Sequence, residues 1–340
     1  MGELATMEVL IIGGTRNIGH LLALQLLKQG HHVTVFHRGK TPDELPRDVQ
    51  RSYGDRRDPV ALANALARKS FDAVVDMALY NAQDAKNIVE LLNGRVGSYI
   101  FISTGQVYLV RQVSQRPFSE SAYENPLTEA PPQGSRDYEE WLYGVEKSQS
   151  EDVLMEAFER QEFPVTTLRL PMVNSERDHF HRVYNYLLRL QDGGPILLPT
   201  GERLRLRHVY GEDVIQAILR AMASNSAKGR VYNISQDETL SIEEFLNLLA
   251  EIAQYELELV HAPRNVLEEH SLFPDCSPFS DPWMSELDNT RSKLELATRY
   301  TPVSVYLQKL VSYYQSHAVP APVGYRRRSE EIKLAKIIDT

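Results

Sequence analysis

The stretch that decides the fold is Glu8-Val9-Leu10-Ile11-Ile12-Gly13-Gly14-Thr15-Arg16-Asn17-Ile18-Gly19. An apolar, β-branched run stops at a double glycine. A helical pattern follows at once, with Ile18, Leu21, Leu22 and Leu26 on one stripe and Gly30 just past its end. This reads as a strand, a tight turn and a helix N-terminus. Unpaired backbone N–H groups and the positive end of the helix dipole meet there, so the turn suits an anion, commonly a phosphate. Arg16 lies midway between Gly13 and Gly19 and offers a charged fork for the same ligand. The plainer alternative is an ordinary strand–helix turn. The regular βαβ pattern around it favours the phosphate reading.

Working outward, His31 to Gly39 is a second strand whose tip is His37-Arg38, with Lys40 close by. In a dinucleotide fold an acid at this tip accepts from the ribose 2′-hydroxyl and repels a 2′-phosphate. The acid is missing here, which favours NADP, with NAD as the alternative. Asp58-Pro59 opens a helix expected to reach Lys69. A buried strand from Phe71 to Ala78, a helix from Ala82 to Leu92 and a strand from Ser98 to Ser103 follow. Such alternation means a parallel, doubly wound sheet. The segment 113–140 breaks the rhythm with prolines, serines and acids. It reads as a surface excursion, either a substrate lid or a passive insertion. A helix from Trp141 to Glu159 and a strand ending at Pro171 come next.

Composition narrows the function classes. The formal net charge of −9 disfavours a nucleic-acid partner bound through a broad basic surface. The basic run Arg326-Arg327-Arg328 reads as a solvated face. Cys276 is the sole cysteine, so neither an intramolecular disulfide nor a cysteine zinc cluster can form, and no metal is expected. The first residues, Met1 to Thr6, lack the build of a signal peptide, and no apolar run is long enough to cross a bilayer. A cytoplasmic protein without a membrane partner is the expectation.

The candidate chemistry lies after the strand ending at Ser103. Thr104 stands at its tip, and Tyr143 and Lys147 are four apart, on one face of a helix. An ammonium near a phenol favours the ionised form and lowers a pKa that starts near ~10. Such a tyrosine can exchange a proton with a substrate hydroxyl or ketone. The Thr104 hydroxyl can bond the same oxygen.

These motifs, with Gly54-Asp55-Arg56, Val107-Tyr108 and Leu168-Arg169-Leu170-Pro171, resemble the extended short-chain dehydrogenase/reductase superfamily, in its NAD(P)-dependent epimerase/dehydratase branch. The Gly-Gly-Thr-Arg turn is similar to that of a subgroup that includes chloroplast stem-loop RNA-binding proteins. The resemblance implies an α/β fold, a Rossmann-type doubly wound parallel sheet with a smaller C-terminal α/β substrate-binding domain. Residues 7–172 are then the NAD(P)-binding part, with 205–235 returning to it, while 173–204 and 236–325 form the substrate-binding part and 326–340 a tail. It implies Thr104, Tyr143 and Lys147 as catalytic residues. Tyr143 is the general acid/base, and Lys147 holds the nicotinamide ribose. Cofactor contacts are implied for Gly13, Thr15, Arg16, Asn17, Ile18, His37 and Arg38, for Asp55 and Arg56 beside the adenine, and for Pro171 near the nicotinamide amide, as well as for Tyr143 and Lys147. The implied activity is that of an oxidoreductase or epimerase acting on a secondary hydroxyl or ketone, with a nucleotide sugar as the small-molecule partner and room for a homodimer. A non-catalytic RNA-binding or cofactor-sensing protein of the same fold is the alternative. Where related dehydratases follow the threonine with Asp-Glu, this chain has Gly105-Gln106, which disfavours a 4,6-dehydratase.

Overall fold

Val9 to Ile12 are buried without a polar interruption, as a strand covered on both faces requires. They form β1 (Glu8–Ile12), and the chain then alternates through α1 (Asn17–Lys28), β2 (His32–His37), β3 (Gln50–Tyr53), α2 (Pro59–Leu66), β4 (Phe71–Asp76), α3 (Ala82–Leu92), β5 (Val96–Thr104), α4 (Gln106–Leu109), α5 (Arg136–Gln161) and β6 (Val165–Leu170). This computed structural model describes residues 6–40, 42–66, 69–113, 115–201 and 205–338. Met1–Ala5, on which the leader reading rests, positions 67 and 68 at the end of the helix expected to reach Lys69, positions 202–204 and the last two residues of the tail lie outside the described residues.

Seven strands form one parallel sheet in the order Arg230–Asn233, β6, β5, β4, β1, β2, β3. Val9 lies opposite Val33 of β2 on one side and Ala73 of β4 on the other. The winding reverses at β1. Beyond the carboxyl ends of β1 and β4 it leaves the crevice in which such folds bind ligands. The fold is therefore the Rossmann-like one expected. β3 was not anticipated. It is a short edge strand of polar residues, tied down by Arg51, which donates to Asp43 at 2.6 Å and to the carbonyls of Leu45 and Val49 at 2.7 and 2.6 Å.

The close approach of α1 to the sheet depends on two glycines. A Cβ on Gly19 would stand 2.5 Å from the Gly14 Cα, and one on Gly14 would stand 2.5 Å from Ile11 Cγ2. Backbone therefore packs on backbone directly behind the turn.

Helix α5 begins at Arg136, before the expected Trp141, because Ser135 caps it by accepting from the Tyr138 N–H at 3.1 Å. Part of the excursion before it is built into the core. Phe118 and Ala122 pack with Val107, Tyr108 and Leu287. The Asn233 N–H donates to the Glu120 carboxylate at 2.9 Å, and the Tyr123 hydroxyl donates to Asp152 at 2.8 Å.

The chain divides into two compact units. The first holds residues 1–171, 211–235 and 287–299; the second holds 172–210, 236–286 and 300–340. The return to the first unit thus starts at 211 rather than 205, and 287–299 joins it. In the second unit, the helices Arg182–Gln191, Ile242–Ala253 and Val303–Ser316 share a core around Tyr186, Phe245, Leu249 and Leu310. Its C-terminal helix, Arg328–Ile338, is no loose tail. Arg189 and Glu331 form a buried ion pair at 2.5 Å, and Arg328 pairs with Asp192 at 2.7 Å. Arg328 is buried, so the expected solvated basic face stops short of it. Among the described residues no helix is long and apolar enough to cross a membrane.

Replacing Gly19 by alanine should cost about 1–3 kcal/mol, since the new methyl meets backbone that cannot swing away. Urea unfolding would show it as a lowered midpoint with an unchanged slope. An unchanged midpoint would show that α1 does not sit this close to the turn.

Candidate active site

The β1–α1 turn has the geometry of an anion cradle. Gly13 adopts φ +86°, where only glycine sits without strain, and its N–H donates to the Phe36 carbonyl at 3.0 Å. A Cβ on it would stand 3.0 Å from that of Ala78. Thr15 and Ile18 are half-buried beside the exposed Arg16, and Asn17 opens the helix at φ +44°. The first turn of α1 carries no acid, so its N–H groups keep their positive character toward the crevice. Donor set and backbone shape both fit a dinucleotide pyrophosphate.

The second-strand tip divides the expected contacts. Arg38 is exposed, and its charge acts on Asp55. His37 is no second cation. Its Nδ1 accepts from the Gly39 N–H at 3.3 Å, and its ring packs against Tyr53 with centroids 5.0 Å apart. Burial lowers its pKa from the ordinary 6.5, outweighing the pull of the Asp43 carboxylate, and the Arg51 charge adds to the lowering. The imidazole is neutral at pH 7. Asp55 is held by Arg57, whose Nη2 donates at 2.8 Å and which keeps the carboxyl well below its usual range.

Arg56, expected beside an adenine, is paired with a buried carboxylate. Its Nη1 donates to both oxygens of Asp76 at 2.8 Å, and its Nε lies 3.7 Å from Asp84. Asp76 also accepts from the Tyr99 hydroxyl at 2.7 Å and the Ala78 N–H at 2.9 Å. A carboxylate buried at the end of β4 requires a cation, and Arg56 meets that requirement. It braces the floor of the crevice.

The structure does bring Thr104, Tyr143 and Lys147 together. Thr104 ends β5, and its side chain lies close enough to the Tyr143 phenol to favour the phenol's ionised form. Helix α5 comes this close because residue 144 is glycine. A Cβ there would lie 2.6 Å from Val110 Cγ1 and 2.9 Å from the Gln106 carbonyl oxygen. Lys147 is buried one turn further on, donating to the carbonyls of Ile102 at 2.7 Å and Leu79 at 3.0 Å. Its ammonium lies 4.3 Å from the Phe101 ring centroid and 5.5 Å from that of Tyr80. Burial pulls its pKa down to about 7 against the favourable charges of Asp76 and Glu151.

The expected lowering of the Tyr143 pKa is reversed in this structure. Burial of the phenol dominates and pushes it above its ordinary 10.0; Tyr80 and Glu140 add to the rise, and the Thr104 side chain opposes it. The physical reason is that the Lys147 ammonium is turned to two backbone carbonyls. Pro171 is buried directly after β6, next to Leu170, whose carbonyl accepts from the Gly105 N–H at 2.7 Å.

Two side chains of the site, Tyr80 and Glu140, escaped the sequence reading, and Gln106 was read only as a departure from the dehydratase pattern. The Tyr80 ring lies 6.3 Å from that of Tyr143. Gln106 and Glu140 hydrogen-bond one another at 2.7 Å beside Thr104 and Tyr143. Helical spacing of Glu140 and Tyr143, three apart, was the one available signal. Beneath them a buried network fixes α5. Arg169 donates to Glu151 from Nε at 3.0 Å and from Nη2 at 2.5 Å, and from Nη1 to the Tyr108 hydroxyl at 2.7 Å. Ser103 bonds Glu151, and Tyr108 donates to Asn233 at 2.8 Å.

Residues 9–235 match the model of the NAD dependent epimerase/dehydratase family. A chloroplast stem-loop binding protein of 41 kDa (form b) from Arabidopsis thaliana is 28% identical over 270 residues, which is 75% of this chain and 65% of the relative. The chain thus spans just under two thirds of that relative's length. A 2′-dehydrokanamycin reductase from Streptomyces kanamyceticus is 24% identical over 94% of this chain and 83% of the relative. Among solved structures, the Bordetella bronchiseptica enzyme WbmG in complex with NAD and UDP superposes with a TM-score of 0.74 at 19% identity, covering 94% of this chain and 98% of that one.

Lys147 links stability to pH in the protein without cofactor. The unfolded chain keeps this proton up to the ordinary 10.5, while the folded chain releases it near about 7. The folded state binds fewer protons in that window, so this group favours folding more as pH rises from about 7 to about 10. Lys147→Met removes the linkage. The melting-temperature difference, wild type minus variant, should therefore rise with pH across the window. A flat difference would show that the ammonium is not desolvated.

Proposed function

Because the chain belongs to the NAD dependent epimerase/dehydratase family, we infer that it exchanges a hydride between a nicotinamide dinucleotide and a carbon bearing a secondary hydroxyl or ketone, with Tyr143 as general acid/base. The observation that carries this reading is the Thr104 side chain at the end of β5, close enough to the Tyr143 phenol to act on its ionisation, with Lys147 buried one turn along the same helix. Tyr143 gives its proton to a substrate oxygen in reduction and takes it back in oxidation. Thr104 orients that oxygen with a second hydrogen bond. Lys147 stands one turn further along α5, fixed by the carbonyls of Ile102 and Leu79, where it would hold the nicotinamide ribose. Gly13, Thr15, Arg16, Asn17 and Ile18 would hold the pyrophosphate, and Pro171 would close the nicotinamide end. The bound dinucleotide supplies or accepts the hydride. The UDP held by the Bordetella neighbour supports a nucleotide sugar as the substrate class. The Streptomyces relative supports ketone reduction as one direction of the reaction.

The exposed Arg38, at a strand tip without an acid, supports NADP over NAD. Arg38→Ala should weaken NADPH binding by about tenfold or more, the value of one charge-assisted hydrogen bond, and leave NADH binding unchanged. Fluorescence titration of both reduced dinucleotides reads the difference. Equal losses, or none, would assign the tip to NAD.

Tyr143→Phe should leave dinucleotide affinity intact and reduce hydride transfer at least about 10²-fold across a panel of UDP-sugars and their keto forms, followed at the nicotinamide absorbance. Turnover that survives the substitution removes Tyr143 from the chemistry.

A further inference from the structure

Gln106 is 9% exposed, and its surroundings decide which way the side-chain amide faces. Nε2 donates to Glu140 Oε2 at 2.7 Å and to the Glu140 carbonyl oxygen at 2.9 Å. A carbonyl and an ionised carboxylate only accept, so the NH2 end of the amide has to meet them. The other end, Oε1, is thereby turned away from Glu140. The backbone is anchored as well. The Gln106 N–H donates to Thr104 Oγ1 at 3.2 Å, so the residue starts beside the tip of β5. Its side chain runs from there to Glu140, which stands three residues before Tyr143 on the same helix face. Among the described residues no donor reaches Oε1, and the atom is not sealed from solvent. An amide oxygen with unused lone pairs is thus held in one orientation, beside Thr104 and the Tyr143 face of α5.

We propose that Gln106 is a specificity-determining residue: its Oε1 accepts a hydrogen bond from the substrate hydroxyl on the carbon next to the reacting one, and Glu140 is the positioning residue that sets the amide for this contact. The proposal rests on the reading of Thr104 and Tyr143 as the groups that take the reacting oxygen. It deepens that reading by defining the substrate as a vicinal diol or the matching α-hydroxy ketone of a sugar. Oxygens on adjacent ring carbons lie about one hydrogen bond apart, so two recognition groups two residues apart in the chain suit them. An acceptor fixed in place favours a carbon that carries a donor, because a substrate without one leaves Oε1 unpaired. A neutral amide neither gives up nor takes a proton near pH 7. The neighbouring hydroxyl is therefore held in place and not expelled as water.

The test is calorimetric titration of the full chain saturated with NADP⁺, so the signal does not depend on turnover. The probes are the tightest binder in a panel of UDP-sugars and its singly deoxygenated analogues. In the wild type, loss of the recognised hydroxyl should weaken binding about fivefold to tenfold, the value of one neutral hydrogen bond. Gln106→Met keeps the length of the side chain without its amide. It should weaken the parent sugar by that factor and erase the difference for one analogue alone. The erased position should neighbour the one whose difference Tyr143→Phe erases. Glu140→Ala should shrink the Gln106-dependent difference, and Glu140→Gln, whose amide oxygen still accepts from Nε2, should restore it. Differences that all persist in Gln106→Met overturn the proposal, with or without a general loss of affinity. An erased position not adjacent to the reacting carbon does the same, as does absence of binding by every UDP-sugar of the panel. If Gln106→Met erases one difference and Tyr143→Phe erases none, the amide contact stands and the acid/base reading of Tyr143 falls.

Discussion

The ion pair between Arg169 and Glu151 is the constraint on which the candidate site depends. Both charges are out of water, and the geometry is bidentate, with further bonds from Ser103 and to Tyr108. Taking two charges from water is expensive, and only such geometry offsets the cost. The pair fixes α5 to β6 and to the end of β5, the two strands that flank the catalytic elements. Through Tyr108 and Asn233 it reaches the strand Arg230–Asn233 as well. The Tyr143 face of α5 is thereby aimed at Thr104 by interactions that no substrate touches.

Part of this was legible in the chain. The β1 run, its glycines and the apolar stripe of α1 carry strong local signals, because glycine geometry and helical periodicity act over a few residues. The Tyr143–Lys147 spacing placed both on one helix face for the same reason. What escaped depends on partners far apart in the sequence. β3 has no apolar run, since an edge strand need not bury both faces, and Arg51 holds it through tertiary bonds. Arg56 was read by its neighbours in the chain, whereas its partner Asp76 lies twenty residues away. Arg328 read as solvated because three arginines in a row ordinarily are; Asp192, 136 residues distant, takes it out of water. The sign of the Tyr143 shift could not be read from spacing, because burial dominates it, Tyr80 and Glu140 act in the same direction, and the Lys147 ammonium is turned to backbone carbonyls.

Lys147 shows how function and stability oppose each other here. An ammonium held by carbonyls and aromatic rings is poorly solvated, and burial works against its charge. Buried lysines of this kind are found where a charge is needed at one spot, and they concentrate at functional sites. The first unit offsets the penalty with an apolar core around Leu10, Val74, Tyr99 and Phe101.

The segment around Phe118 to Tyr123 has a consequence for how this scaffold can diverge. Segments of this kind are ordinarily interchangeable modules, free to vary in length between cousins. Here Phe118, Glu120 and Tyr123 reach into the frame that holds α5, so the piece is a keystone with a loop on either side. Grafting it into another member of the fold would require its three sockets to travel with it, at Leu287, Asn233 and Asp152.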